Sequence, residues 1–171
     1  MPDDKSICSR THQQKIKFFI SLGNYETKIL REIIILSKYE GYFRLLNSFF
    51  NFENLWLKEK YHLVPVPLTK KKLLNRGFNQ TEIIAEKLKE KFGFEIVNCL
   101  EKIKETKDQA SLSLDLRKEN LKGAFKLKFN PGKINILLVD DVITSGYTLL
   151  ECAKILKQAG IKTIGAFVLL S

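Results

Sequence analysis

Four apolar residues, Ile136, Leu137, Leu138 and Val139, run straight into two adjacent acids, Asp140 and Asp141. Thr144, Ser145, Gly146 and Thr148 follow, and an apolar-periodic segment starts at Leu149. A short apolar run bounded by turn signals reads as a buried strand. A buried strand feeding acids, a hydroxyl-rich turn and then a helix is the strand–loop–helix joint of an α/β sheet. Ligands of such sheets bind outside the carboxyl ends of the strands, so this joint also marks where chemistry is expected.

The rest of the chain fits around that joint. Residues 1–17 are mostly polar and are read as a flexible N-terminus. Residues 18–60 are read as a helical N-terminal part. Ile29, Leu30, Ile33, Ile34 and Leu36 recur at helical spacing, and Phe43, Leu45, Leu46, Phe49 and Phe50 suggest a second helix. Leu55, Trp56 and Leu57 suggest a third. Residues 61–171 are read as the α/β core, all within one compact domain. Strands are expected at 62–68, where prolines end the pairing, and at 94–100, 124–129, 134–139 and 162–170. Helices are expected at 79–92, around 114–121 and at 146–159. Asn79 followed by Glu82 fits an N-terminal capping pair, and Gly93 a stop. The fold class is therefore α/β: a mostly parallel twisted sheet flanked by helices, with a helical lid or hood at the N-terminus.

Composition narrows the partners. The chain of 171 residues carries 29 basic and 19 acidic residues, a formal net charge of +10. That favours an anionic partner, although lysine used for solubility gives the same number. No apolar run approaches the roughly 18 residues of a membrane helix. No apolar leader core follows the N-terminus, so membrane insertion is not expected and a cytoplasmic address is. Cys8, Cys99 and Cys152 are far apart and form no Cys-x-x-Cys pair, so a disulfide framework or zinc ribbon is not expected. His12 and His62 are isolated and read as ordinary residues.

The loop from Asp140 to Thr148 has the parts of a phosphate cradle. Thr144, Ser145, Gly146, Tyr147 and Thr148 offer backbone N–H groups, hydroxyls and a helix N-terminus, and Gly146 permits close approach of an anion. Asp140 and Asp141 repel a phosphate directly. They fit sugar hydroxyls or a hydrated Mg²⁺ beside it. The competing reading makes Thr144 or Ser145 a simple helix cap. Neither a Walker A sequence nor Gly-x-Gly-x-x-Gly is present.

Two acids before Thr144-Ser145-Gly146-Tyr147-Thr148 resemble the phosphoribosyl-diphosphate (PRPP) motif of type I phosphoribosyltransferases. Val64-Pro65-Val66-Pro67-Leu68, a basic stretch and Arg76-Gly77-Phe78-Asn79-Gln80 resemble the signature of the ComF family of competence-associated proteins. Lys38-Tyr39, Lys104, Thr106, Gln109, Leu112, Arg117 and Asn120 match that family in order, ahead of Gly123-Ala124-Phe125. The resemblance implies that Asp140 and Asp141 meet ribose hydroxyls and the Mg²⁺ shell, with Thr144 to Thr148 on the 5′-phosphate. It implies that Pro67, Leu68 and Thr69 form a pyrophosphate loop. Arg76 then reaches a phosphate or an acid, or else only shapes the helix entry. Lys104, Gln109, Arg117 and Asn120 fall in a hood over the reaction, or in a solvated loop. Many ComF proteins start with a four-cysteine zinc ribbon. Only Cys8 stands in that region here, so zinc is not carried over.

Two functions stay open at this point. One is Mg²⁺-dependent phosphoribosyl transfer from PRPP to an unidentified acceptor. The other is an accessory role in DNA uptake, with PRPP as a regulatory ligand and single-stranded DNA or uptake proteins as partners.

Overall fold

The computed structural model describes residues 15–38, 59–106 and 114–171, together with positions 44, 46, 55 and 57. Most of the expected second and third N-terminal helices, and residues 1–14, lie outside them. The described strands form one five-stranded sheet and a separate two-stranded one. In the larger sheet β1 (Phe18–Gly23), β2 (His62–Pro65), β3 (Glu95–Ile96), β6 (Ile136–Val142) and β7 (Ile164–Leu170) lie in the order β1-β7-β6-β2-β3. Every pairing within it is parallel. The smaller sheet pairs β4 (Leu100–Lys102) with β5 (Phe125–Leu127) antiparallel. The helices are α1 (Lys28–Leu36), α2 (Lys70–Arg76), α3 (Gln80–Phe92), α4 (Leu114–Leu121) and α5 (Tyr147–Gln158).

The expected mostly parallel sheet flanked by helices is present, and its two faces define two cores. Side chains alternate along a strand, so each β6 residue faces the opposite side from its neighbour. Ile136 and Leu138 join Leu149, Cys152, Ala153 and Leu156 of α5, together with Leu100, Leu121 and Phe125. Leu137 and Val139 join Ile34 of α1, Ile84, Ala85 and Leu88 of α3, and Leu46. All seven residues of β7 are buried, as a strand covered on both faces must be.

Several expectations are corrected. The N-terminal part is not wholly helical, because residues 18–23 form β1 along β7. Gly165 makes room for the Phe18 ring, which a Cβ there would overlap. The expected flexible stretch through Lys17 is also too long. Ile16 is buried in the core, and the Lys17 N–H donates to the Ile164 carbonyl at 2.7 Å. The stretch 94–100 is not one strand: it divides between β3 in the large sheet and β4 in the small one. β2 stops at Pro65, paired with Val139, so the prolines end the pairing as expected but earlier than residue 68. β3 reaches only His62 and Leu63, so a missing N–H at Pro65 on that side breaks no ladder bond. Asn79 caps α3 as expected, although its Oδ1 accepts from the Thr81 N–H at 3.3 Å.

Candidate functional site

Both rim loops leave neighbouring strands. The Val66 N–H donates to the Val139 carbonyl at 2.9 Å, which sets the loop after β2 beside the end of β6. The start of α3 fastens that loop. Asn79 Nδ2 and Thr81 Oγ1 both donate to the Val66 carbonyl, at 3.2 and 2.8 Å. Pro67 and Leu68 are half-buried, and Thr69 is buried, its Oγ1 accepting from the Lys72 N–H at 3.3 Å to cap α2.

Asp140 and Asp141 lie inside β6, which runs three residues beyond the expected end at Val139. Strand alternation therefore sends the two acids to opposite faces of the sheet. Asp140 continues the Ile136–Leu138 face and is 9% exposed. Its Oδ1 accepts from the Asp141 N–H at 2.9 Å. Burial, and then the neighbouring Asp141 charge, raise its pKa well above the usual carboxylate range. Asp141 continues the Leu137–Val139 face. Its Oδ1 accepts from the Val142 N–H at 2.8 Å, and its Oδ2 lies 3.4 Å from Lys38 Nζ.

The turn beyond the acids answers the capping question. The N-cap residue of α5 is Gly146 at φ 73°, and no side chain caps the helix. Neither Thr144 nor Ser145 serves as the cap. A left-handed φ at this position favours glycine, the residue without a Cβ. Ser145 Oγ is buried and has no hydrogen-bond partner. Asp140, Thr144, Gly146 and Thr148 share the lining of a small concavity with Val142, Ile143 and Leu149. Tyr147 and Thr148 open the first turn of α5.

The remaining expected residues divide. Arg76 Nη1 donates to Gln80 Oε1 at 3.3 Å, across the start of α3. Gln80 is 2% exposed, and its Nε2 has no partner. Lys104 is exposed after β4, and Asn120 is half-buried on α4. Gln109 and the Arg117 side chain lie outside the described residues.

Two lysines near the acids were not among the expected site residues. Lys38 follows α1 and meets Asp141. Lys102 on β4 is half-buried, with its Nζ 5.4 Å from the centre of the Phe125 ring. Burial pushes its pKa down, nearby Lys72 pushes the same way, and Asp140 opposes them. Lys102 shares a strand face with buried Leu100, which is the alternation signal that could have found it. Cys152, also near Asp140, is buried, and burial raises its thiol pKa well above the ordinary value, so it is a core residue rather than a nucleophile.

A parallel sheet with acids at the carboxyl end of an inner strand and a glycine-capped helix after them defines a type I phosphoribosyltransferase-like α/β protein. Residues 73–171 match the phosphoribosyl transferase domain family. The chain is 36% identical over 137 residues to competence protein ComFC of Streptococcus pneumoniae, covering 77% of this chain and 59% of that one. It is 35% identical over 112 residues to competence protein F of Haemophilus influenzae, covering 63% and 49%. DNA utilization protein YhgH of Salmonella typhi is 34% identical over 108 residues, covering 63% and 48%. The chain belongs to the phosphoribosyl transferase domain family and, within it, to the ComF proteins. It spans about half the length of the curated relatives it matches.

Proposed function

We propose that this chain binds PRPP with Mg²⁺ and transfers the phosphoribosyl group to a nitrogen acceptor, in the cytoplasm and in support of natural competence. One observation carries the reading. The Ser145 hydroxyl is buried without a partner beside a helix N-terminus that no side chain caps. A desolvated donor there is stabilised by an anion, and the 5′-phosphate of PRPP supplies one.

Thr144, Ser145, Gly146, Tyr147 and Thr148 then hold the 5′-phosphate, and Asp140 and Asp141 orient the ribose. The donor set suits Mg²⁺. Asp141 already accepts a cation, and its carboxylate with substrate and water oxygens makes a hard oxygen shell. The substrate's and water's oxygens would complete that shell. Bound there, Mg²⁺ offsets the charge on the pyrophosphate. Pyrophosphate leaves C1 as the nitrogen arrives, through an oxocarbenium-like transition state that needs no protein nucleophile. The chain's own task is positioning and charge. Pro67, Leu68 and Thr69 flank the leaving group, and Lys102, which feels the Asp140 charge, adds positive potential beside that acid.

The competence role draws on the names of the relatives, competence protein and DNA utilization protein. The accessory reading, with single-stranded DNA as partner, draws on the +10 charge and on no site geometry. Calorimetry of PRPP with Mg²⁺ tests the site: the Asp140→Asn, Asp141→Asn double variant is expected to abolish binding, and unchanged affinity refutes the assignment. Pyrophosphate release from PRPP against a panel of bases and amines then tests transfer.

A further inference from the structure

The acid that faces α1 is not open to solvent on both oxygens. Asp141 Oδ1 accepts the Val142 N–H, and Oδ2 meets Lys38 Nζ at 3.4 Å. Lys38 does not reach that place by chance of a mobile tail. Ser37, the C-cap of α1, is fully buried, and its Oγ donates to the Ile34 carbonyl at 2.7 Å. Its N–H donates to the Ile33 carbonyl at 2.8 Å, and the Lys38 N–H to the Ile35 carbonyl at 3.2 Å. Ile34 is locked in the core beneath the same turn. The backbone of residue 38 is thus fixed over the end of β6. The Lys38 side chain is 34% exposed, and its flexible stem leaves the ammonium free to move away.

A divalent cation at Asp141 meets that ammonium first. Two like charges a few ångströms apart repel, so cation and lysine exclude each other from the same carboxylate. We propose that Lys38 is the resident counter-ion of Asp141, holding the carboxylate in the unliganded protein and yielding it when a divalent cation binds. This rests on the reading of Asp140 to Thr148 as a Mg²⁺-PRPP site. Lys38 acts as a positioning residue. It also lies before residues 73–171, so a segment outside the matched domain sets the metal affinity of the site.

Mn²⁺ titration without PRPP, followed by water-proton relaxation, tests the exchange in wild type, Lys38→Met, Lys38→Gln and Lys38→Arg, each checked for folding by circular dichroism. Lys38→Met and Lys38→Gln are expected to bind Mn²⁺ about fivefold tighter, and Lys38→Arg within about twofold of wild type. A purely structural lysine leaves these affinities equal. Equal or weaker binding in Lys38→Met and Lys38→Gln, with binding lost in Asp141→Asn, overturns the role of Lys38 alone. If wild type binds neither Mn²⁺ nor, by calorimetry, PRPP with Mg²⁺, the site reading falls and the role of Lys38 falls with it.

Discussion

Asp140 and Asp141 are adjacent, yet replacing each by asparagine is expected to change stability in opposite directions. Asp140 is buried, and burial and the Asp141 charge raise its pKa well above 3.8. In the unfolded chain the same carboxyl ionises near its ordinary value. The folded state therefore holds this proton more tightly, and the associated stability is complete below about pH 4. It is lost progressively as pH rises through the folded pKa. Each unit of upward displacement corresponds to about 1.4 kcal/mol. Asp140→Asn removes the ionisation and keeps an oxygen for the Asp141 N–H. At pH 8 the variant is expected to melt higher than wild type, by about 2–4 °C per kcal/mol for a chain of this size. The gap should close at about pH 4, where both side chains are neutral. Asp141→Asn instead loses the partly exposed Lys38 contact and is expected to cost about 0.5 kcal/mol or less. Thermal melts by circular dichroism from pH 4 to 8 measure both. A lower melting temperature for Asp140→Asn at pH 8, or a gap independent of pH, refutes the argument from burial.

Three further substitutions test other parts of the structure. Gly165→Ala forces a Cβ into the Phe18 ring, and displacing β1 is expected to cost about 1–3 kcal/mol in urea unfolding. Ser145→Ala removes a buried hydroxyl without a partner, so stability should hold or rise while PRPP affinity in calorimetry falls about tenfold. Asn79→Ala removes the α3 cap and a bond to the Val66 carbonyl, for an expected loss of about 1–2 kcal/mol by the same unfolding measurement.

Much of this was legible in the sequence where one local pattern dominates. The run Ile136 to Val139 with Gly146 behind it marks the β6–α5 joint, and the apolar spacing of Ile84 and Leu88 marks α3. The misses occur where tertiary contacts decide. Phe18 and Ile20 look like the opening of an apolar helical region, and only β7 alongside makes them a strand. The ladder that continues β6 through Asp140, opposite Val168, is invisible to an argument that ends strands at charges. Lys102 escaped because β4 was placed too early, which hid its position on a buried face. The ion pair of Lys38 with Asp141 joins distant parts of the chain, and no spacing rule reaches so far. Arg76 and Gln80 meet across a helix break at Gly77, where periodicity says nothing about contact.

Pro65 bears on how β2 ends. The backbone N–H groups of His62 and Val66 point toward β6, and the Leu63 carbonyl points toward β3. Alternation puts the nitrogen of residue 65 on the β3 side, where β3 has already ended. Pro65 is buried, so any other residue there would carry a desolvated N–H beyond the end of β3. Proline has nothing to donate, so β2 turns into the rim loop without leaving a buried donor unmet.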